Sequence, residues 1–253
     1  MKKLLAAALS VVLAAGLLAG CGSKDSDAGS SKKTAEVIDV DLTDEEYAFG
    51  VDKSQPELLE QVNTFISKIK EDGTLDEIFD KYFGGGEPTP VESAALDESK
   101  DQLVVATNAA FEPFEYMQGD AYVGIDMEIA ALLAEELGQE LVIQNMDFDA
   151  VCLSVGQQKC DIAMAGLTVS EERKEYVTFS DTYYQASQRL IVPSDDTTFK
   201  DMTDAEEIAA ALAELDSSVK IGVQQGTTGN SYVEGSEDLG FPGLEATCQT
   251  YKS

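Results

Sequence analysis

The chain has 253 residues, 17 basic and 48 acidic, for a formal net charge of −31, and it contains no histidine. A surface this acidic favours solubility and repels anions, and it argues against nucleic-acid binding, which needs a basic footprint. Without histidine there is no Ser-His-Asp or Cys-His nucleophile arrangement and no histidine-based zinc site; no cofactor and no metal are expected.

In chain order, residues 1–20 form a processing signal. Lys2 and Lys3 precede an almost wholly apolar run from Leu4 to Leu18, and Leu18-Ala19-Gly20-Cys21 has the form of a bacterial lipobox. The run is shorter than the ~20 residues a spanning helix needs. Cys21 is therefore expected to carry a lipid anchor that places the protein on the extracytoplasmic face of the cell membrane. The alternatives are a cleaved secretory signal with an incidental cysteine, or an uncleaved anchor. Residues 21–35, rich in Ser, Lys, Asp and Gly, read as a flexible tether.

Folded structure is expected from residue 36. Val37 to Leu42 alternates apolar and acidic residues, as a half-exposed strand does, and Tyr47 to Val51 is a second strand candidate. Pro56 opens a helix whose apolar stripe is Leu58, Leu59, Val62, Phe65, Ile66 and Ile69. A short second helix carries Leu75, Ile78, Phe79 and Tyr82 and stops at Gly84-Gly85-Gly86. Residues 85–101, with glycine, proline and several acids, read as a linker. Strands and helices then alternate: strand Leu103 to Ala106, helix Ile125 to Leu137, strand Leu141 to Gln144, helix Phe148 to Val155 and strand Ile162 to Ala165. Further on, strands are expected at Gln188 to Val192, Val219 to Val223 and Leu244 to Gln249, with a helix over Ala205 to Leu215 and a helix start at Gly226 to Gly229. This rhythm predicts mostly parallel sheets flanked by helices.

With Cys21 lipidated, Cys152, Cys160 and Cys248 remain. They read as small buried apolar residues, with a Cys152–Cys160 disulfide as the alternative.

Arg173 is one of only two arginines. Its guanidinium can bind a carboxylate bidentately, which lysine cannot, and it follows Ala165-Gly166-Leu167-Thr168, a small-residue strand end where α/β sheets bind ligands. An ordinary surface ion pair is the competing reading of the arginine alone. The block Asp161 to Arg173 (DIAMAGLTVSEER) resembles that of the polar amino-acid-binding proteins of ABC transporters, which have the type II periplasmic-binding fold. So do Thr107 to Tyr116 (TNAAFEPFEY), VGID at 123–126, DFDA at 147–150, Val177 to Tyr184 (VTFSDTYY) and QGTT at 225–228.

The resemblance implies an α/β fold of two lobes, each a mostly parallel sheet flanked by helices. It implies a non-catalytic receptor that closes on an amino acid and delivers it to an ABC permease with its ATPase. Arg173 would clamp the ligand carboxylate, Thr168 would bind it by hydroxyl and N–H, and Thr227 and Thr228 would reach it from the second lobe. A carbonyl of Ala165 or Gly166 would accept the ammonium, and Phe111 and Phe148 would enclose the side chain. Asn108 stands where binders of cationic amino acids often have Asp, and its amide disfavours a cationic ligand. A cyclohexadienyl-dehydratase-like enzyme, with Glu112 as its cleft acid, or a sensor domain are the alternatives on this fold.

Two departures are expected. Residues 36–84 resemble the family's closing segment yet precede residues 102–187, the core of lobe 1, as in a circular permutation or, alternatively, a relic of fused tandem genes. Residues 188–253 resemble a partial lobe 2. On the order of 30–45 residues of a crossover unit, including an aspartate that meets the ligand ammonium, would be missing from this incomplete lobe.

Overall fold

The computed structural model describes residues 34–252. The leader, Cys21 and all but the end of the tether lie outside the described residues. No helix among those described is long and apolar enough to cross a membrane.

The strands are β1 (Ala35–Val37), β2 (Glu45–Tyr47), β3 (Gly50–Asp52), β4 (Gln102–Thr107), β5 (Ala110–Phe111), β6 (Glu115–Gln118), β7 (Ala121–Val123), β8 (Glu140–Asn145), β9 (Ile162–Ala163), β10 (Val177–Phe179), β11 (Tyr184–Ala186), β12 (Ile191–Pro193), β13 (Lys220–Gln224) and β14 (Thr247–Tyr251). The helices are α1 (Pro56–Glu71), α2 (Thr74–Phe83), α3 (Ile125–Leu137), α4 (Phe148–Gly156), α5 (Glu171–Lys174), α6 (Ala205–Ala213) and α7 (Thr228–Glu234).

Lobe 1 is built on a five-stranded sheet in the order β10-β3-β9-β4-β8. The β4-α3-β8 crossover makes six parallel pairs, from Gln102 opposite Glu140 to Thr107 opposite Asn145. The expected parallel sheet is interrupted, because β3 enters antiparallel to both β9 and β10. It is a central strand, buried at all three residues. Residues from the early segment and from the later core thus share one sheet.

They also share one apolar cluster. Helix α1 begins at Pro56, where a missing N–H does no harm, and buries Leu58, Val62, Phe65, Ile66 and Ile69 along one stripe. These side chains pack with Leu75 and Ile78 of α2, Ile129 and Leu133 of α3, and Val105 and Ile162 of the sheet. Helix α4 seals the opposite face through Val151, Cys152 and Val155. Cys152 and Cys160 are free thiols inside this second cluster, so the alternative disulfide does not form.

Three differences from the sequence reading lie here. Tyr47 to Val51 is not one strand: β2 and β3 are separated by Ala48 and Phe49 and pair with different partners. The three-stranded meander β5-β6-β7 went unread. Its strands have two to four residues each, too short for an alternating pattern to stand out. The linker 85–101 is docked along lobe 1. Val91 pairs with Tyr122 and is buried with Met127 and Ile143, and the Ala94 N–H donates to the Leu141 carbonyl.

Lobe 2 gathers residues from both ends of the described chain. β1 pairs antiparallel with β12, and β13 pairs parallel with β14. Ile38, Val192, Phe199, Ile208 and Leu212 form its core. Residues 36–42, expected with lobe 1, therefore pack in lobe 2. The lobes are joined by two antiparallel crossings, β2 and β11, with Tyr47 opposite Tyr184 and Glu45 opposite Ala186.

Candidate functional site

The site is assembled where the crossings, the carboxyl end of β9 and the N-terminus of α7 meet. Its first wall is the turn after β9. Gly166 has φ +53, and a Cβ there would come within 3.0 Å of the Phe111 ring and 3.3 Å of the Tyr47 ring. Only glycine lets the backbone pass so close in that conformation. The Gly166 N–H donates to Asp126 Oδ2 at 2.9 Å, and Tyr183 Oη donates to Asp126 Oδ1 at 2.6 Å. Among the described residues nothing donates to the carbonyls of Ala165 or Gly166.

Arg173 lies one turn further on, its helix started by Ser170, whose Oγ accepts from the Arg173 N–H. The guanidinium donates to the Thr168 carbonyl at 2.7 Å and to the Gly226 carbonyl of lobe 2 at 3.1 Å, and sits over the Phe148 ring at 5.3 Å. Two of its five N–H donors are used, so three remain for a ligand. Loss of water around it pulls its pKa down from the usual value, an effect the nearby Glu45 carboxylate counters. It stays charged at any physiological pH.

The lobes touch at several of the residues singled out from the sequence. Thr228 Oγ1 donates to Thr168 Oγ1 at 3.1 Å. Gln224 Nε2 donates to Asn108 Oδ1 at 2.8 Å, while Asn108 Nδ2 donates to the Met146 carbonyl at 2.7 Å. Gly226, at φ +76, brings its backbone against Asp149 of lobe 1. A cavity of about 340 Å³ opens beside these contacts, with Phe148, Arg173, Gly226, Thr228 and Asn230 in its wall. Phe111 is 40% exposed and stacks on Phe114 at 5.5 Å. Thr227 caps α7: its Oγ1 accepts from the Asn230 N–H and donates to the Gln224 carbonyl, which ties its hydroxyl into the helix start. Glu112 is exposed on the turn after β5.

Two acidic features escaped sequence reading. Glu45, 4% exposed, accepts from Thr168 Oγ1 at 2.5 Å, from Thr43 Oγ1 at 2.6 Å and from Gln188 Nε2 at 2.9 Å. In sequence it is one acid in a run of acids, and nothing marks it as buried. Glu115 is wholly buried, and neither of its carboxyl oxygens has a hydrogen-bond partner. Burial, with the adjacent Asp126 charge, pushes its pKa well above the ordinary value. Burial also pushes Asp126 up to about 7, against the pull of its two donors. Asp126 has two donors and Glu115 has none.

The chain was compared with known families and structures. The model of bacterial extracellular solute-binding proteins, family 3, matches residues 9–85 and 103–228. The chain belongs to that family. The break in the match falls in the segment docked along lobe 1. This family 3 protein is 37% identical over 103 residues to the arginine-binding extracellular protein ArtP of Bacillus subtilis (strain 168), 41% of this chain and 40% of that one. It is 27% identical over 155 residues to the histidine-binding periplasmic protein of Salmonella typhimurium (strain LT2), 60% of this chain and 54% of that one. It thus spans about half the length of these curated relatives or less. Among solved structures, the ancestral amino acid-binding protein AncCDT-1, described as a precursor of cyclohexadienyl dehydratase, superposes with a TM-score of 0.50 and 28% identity, covering 71% of this chain and 66% of that one. An ancestral arginine-binding protein bound to arginine gives 0.50 and 29%, covering 61% and 62%. The fold is accordingly the two-lobed type II periplasmic-binding fold.

Proposed function

We propose that the protein is an extracytoplasmic receptor that closes its two lobes on an amino acid and hands it to an ABC permease and its ATPase. A Cys21 lipid anchor would hold it at the membrane. The observation that carries this reading is Arg173, a guanidinium with free donors, laid over an aromatic ring and facing the second lobe. A planar cation in that setting suits a carboxylate. Hinge closure is the family's way of coupling such binding to transport, and the paired crossings β2 and β11 are where it would turn.

Thr168 takes a different role from the one its resemblance implies. Its only hydroxyl proton goes to Glu45, so it offers a ligand carboxylate its backbone N–H rather than its side chain. Both ends of the Asn108 amide are occupied, by Gln224 and Met146, so it serves as a tie between the lobes. The relatives named for arginine and histidine make those amino acids the first to try. The enzyme alternative lacks support from the site: Glu112 is exposed, and the relatives reported above are named as binding proteins. The early placement of residues 43–84 is best read as a circular permutation, supported by β3 completing the lobe 1 sheet.

A thermal-shift panel of the L-amino acids tests the reading. Ligand at 100 times its Kd stabilises by ~2.7 kcal/mol, and the shift should vanish in Arg173→Ala. A cooperative melt that no amino acid moves would rule the receptor out.

A further inference from the structure

The VGID block at 123–126 places Asp126 in the first turn of α3, wholly buried. The side chain makes no cap bond to its own helix. Its two oxygens go instead to two different parts of lobe 1. Oδ2 accepts from the Gly166 N–H at 2.9 Å, and Oδ1 accepts from Tyr183 Oη at 2.6 Å.

Gly166 belongs to the turn after β9 that leads to Thr168 and Arg173. Tyr183 is the residue before β11, where the chain starts one of its crossings to lobe 2. The Tyr183 N–H donates to the Tyr47 carbonyl of the other crossing at 2.8 Å, and its ring stacks on Phe49 at 4.4 Å. One carboxylate therefore holds both the turn that would meet a ligand and the joint on which the lobes would turn. It does so from a fixed post, since Ile125, Met127 and Ile129 of α3 are wholly buried.

A carboxylate in that place is costly. Among the described residues no lysine or arginine comes within ion-pair distance of it. Glu115 of β6 and Tyr47 of β2 face it along with Tyr183. From α2, Tyr82 accepts from the Gly124 N–H, and Lys81 is taken up by Glu128 of α3. The chain has no histidine, the side chain that ordinarily titrates near neutral pH. A response of binding to pH in that range would thus come from a buried carboxyl, and burial puts Asp126 at about 7.

We propose that Asp126 is a positioning residue for ligand binding: its carboxylate fixes the Gly166 turn against the crossing at Tyr183 in the arrangement that takes a ligand. The inference rests on the amino-acid-receptor reading above and adds to it a residue outside the cleft. A carboxylate accepts both bonds at charge-assisted strength, whereas the protonated acid has a proton of its own to place and accepts more weakly. Affinity therefore rises with pH through the titration of Asp126.

The test is calorimetric titration of the purified full chain between pH 6 and 7.5. The probes are the amino acids of the thermal-shift panel, L-arginine and L-glutamine first. One has a cationic side chain and the other a neutral one, and neither changes its charge in this range. In the wild type the dissociation constant should be about eightfold higher at pH 6 than at pH 7.5, as a proton released near pH 7 on binding requires. Asp126→Asn keeps the size and an acceptor and removes the titration. Its affinity at pH 7.5 should fall to the wild-type value at pH 6 or below and no longer respond to pH. Tyr183→Phe deletes one hydroxyl and with it a bond that pulls the Asp126 pKa down, so the whole profile should move to higher pH. If Asp126 only holds lobe 1 together, both variants melt earlier and keep the wild-type profile of affinity against pH. That result overturns the inference, and so does a flat wild-type profile. An Asp126→Asn chain that no longer melts cooperatively leaves the decision to the shift in Tyr183→Phe. A wild-type chain that binds none of the amino acids overturns the receptor reading itself, and the inference with it.

Discussion

Lobe 1 and lobe 2 are built to different depths. Lobe 1 has a five-stranded sheet covered on both faces, and side chains such as Ile129, Leu133 and Ile162 are wholly removed from water. Lobe 2, among the described residues, has two separate two-stranded sheets and a core of five buried apolar residues, ringed by partly exposed ones such as Leu190, Ile221 and Leu244. The same physical forces act on both. The difference teaches which half serves as the platform: Arg173, Thr168, Gly166 and Phe148 all stand on lobe 1, while lobe 2 contributes the Gly226 carbonyl and Thr228.

The sharpest way to break this comparison is through α1. Ile66 is 1% exposed and belongs to the early segment, yet it packs in the lobe 1 core. Ile66→Ala should destabilise the protein by about 2–5 kcal/mol, read by denaturant unfolding. A loss below about 1 kcal/mol would show that residues 43–84 are not integral to lobe 1.

Next in size is the loss of the site's fork. Arg173→Ala removes charge-assisted hydrogen bonds worth about 1.5–3 kcal/mol, so ligand affinity should fall about tenfold to a hundredfold in calorimetry. The melt of the unliganded chain should change much less.

The buried carboxyl pair gives a pH signature confined to lobe 1. With its folded pKa raised to about 7, Asp126 binds a proton in the native state that the unfolded chain has released above about pH 4. Stability is therefore full at the acid end of that window and declines as pH rises towards 7, by about 1.4 kcal/mol per unit for one such group. Glu115, raised for the same reason, adds to the decline. In Glu115→Gln that carboxyl's own contribution is gone and the slope should flatten; an unchanged slope would mean that Glu115 does not titrate in this range.

The smallest effect tests lobe 2. Ile208→Val should cost about 0.5–1.5 kcal/mol. By hydrogen exchange it should speed opening in α6 and β13 and leave α3 untouched, whereas uniform acceleration would mean that the two lobes unfold as one unit.

Much of the fold was legible because it is locally encoded. Pro56 and the stripe from Leu58 to Ile69 write α1 into consecutive residues, and β4, α3 and β8 follow from runs long enough to show their period. The meander at residues 110–123 and the split of β2 from β3 were not legible, since elements of two to four residues carry no period. For the site, scarcity and motif pointed to Arg173, and the structure places Phe148, Thr168 and Thr228 within its reach. Thr227 proved to be a helix cap and Asn108 an interlobe tie.

By itself the sequence determined the family and the alternation of strands and helices, and it pointed to the arginine of the candidate site, because each depends on neighbours close in the chain. Only the tertiary structure decided that β3 enters lobe 1 as an antiparallel central strand, that residues 36–42 pack with lobe 2, and that Glu45 and Glu115 are buried. Those outcomes depend on partners more than a hundred residues away in the chain for β3 and Glu45, such as Thr168 opposite Glu45. A carboxylate in an acidic run looks the same in sequence whether water or a protein interior surrounds it, and only the packing distinguishes the two.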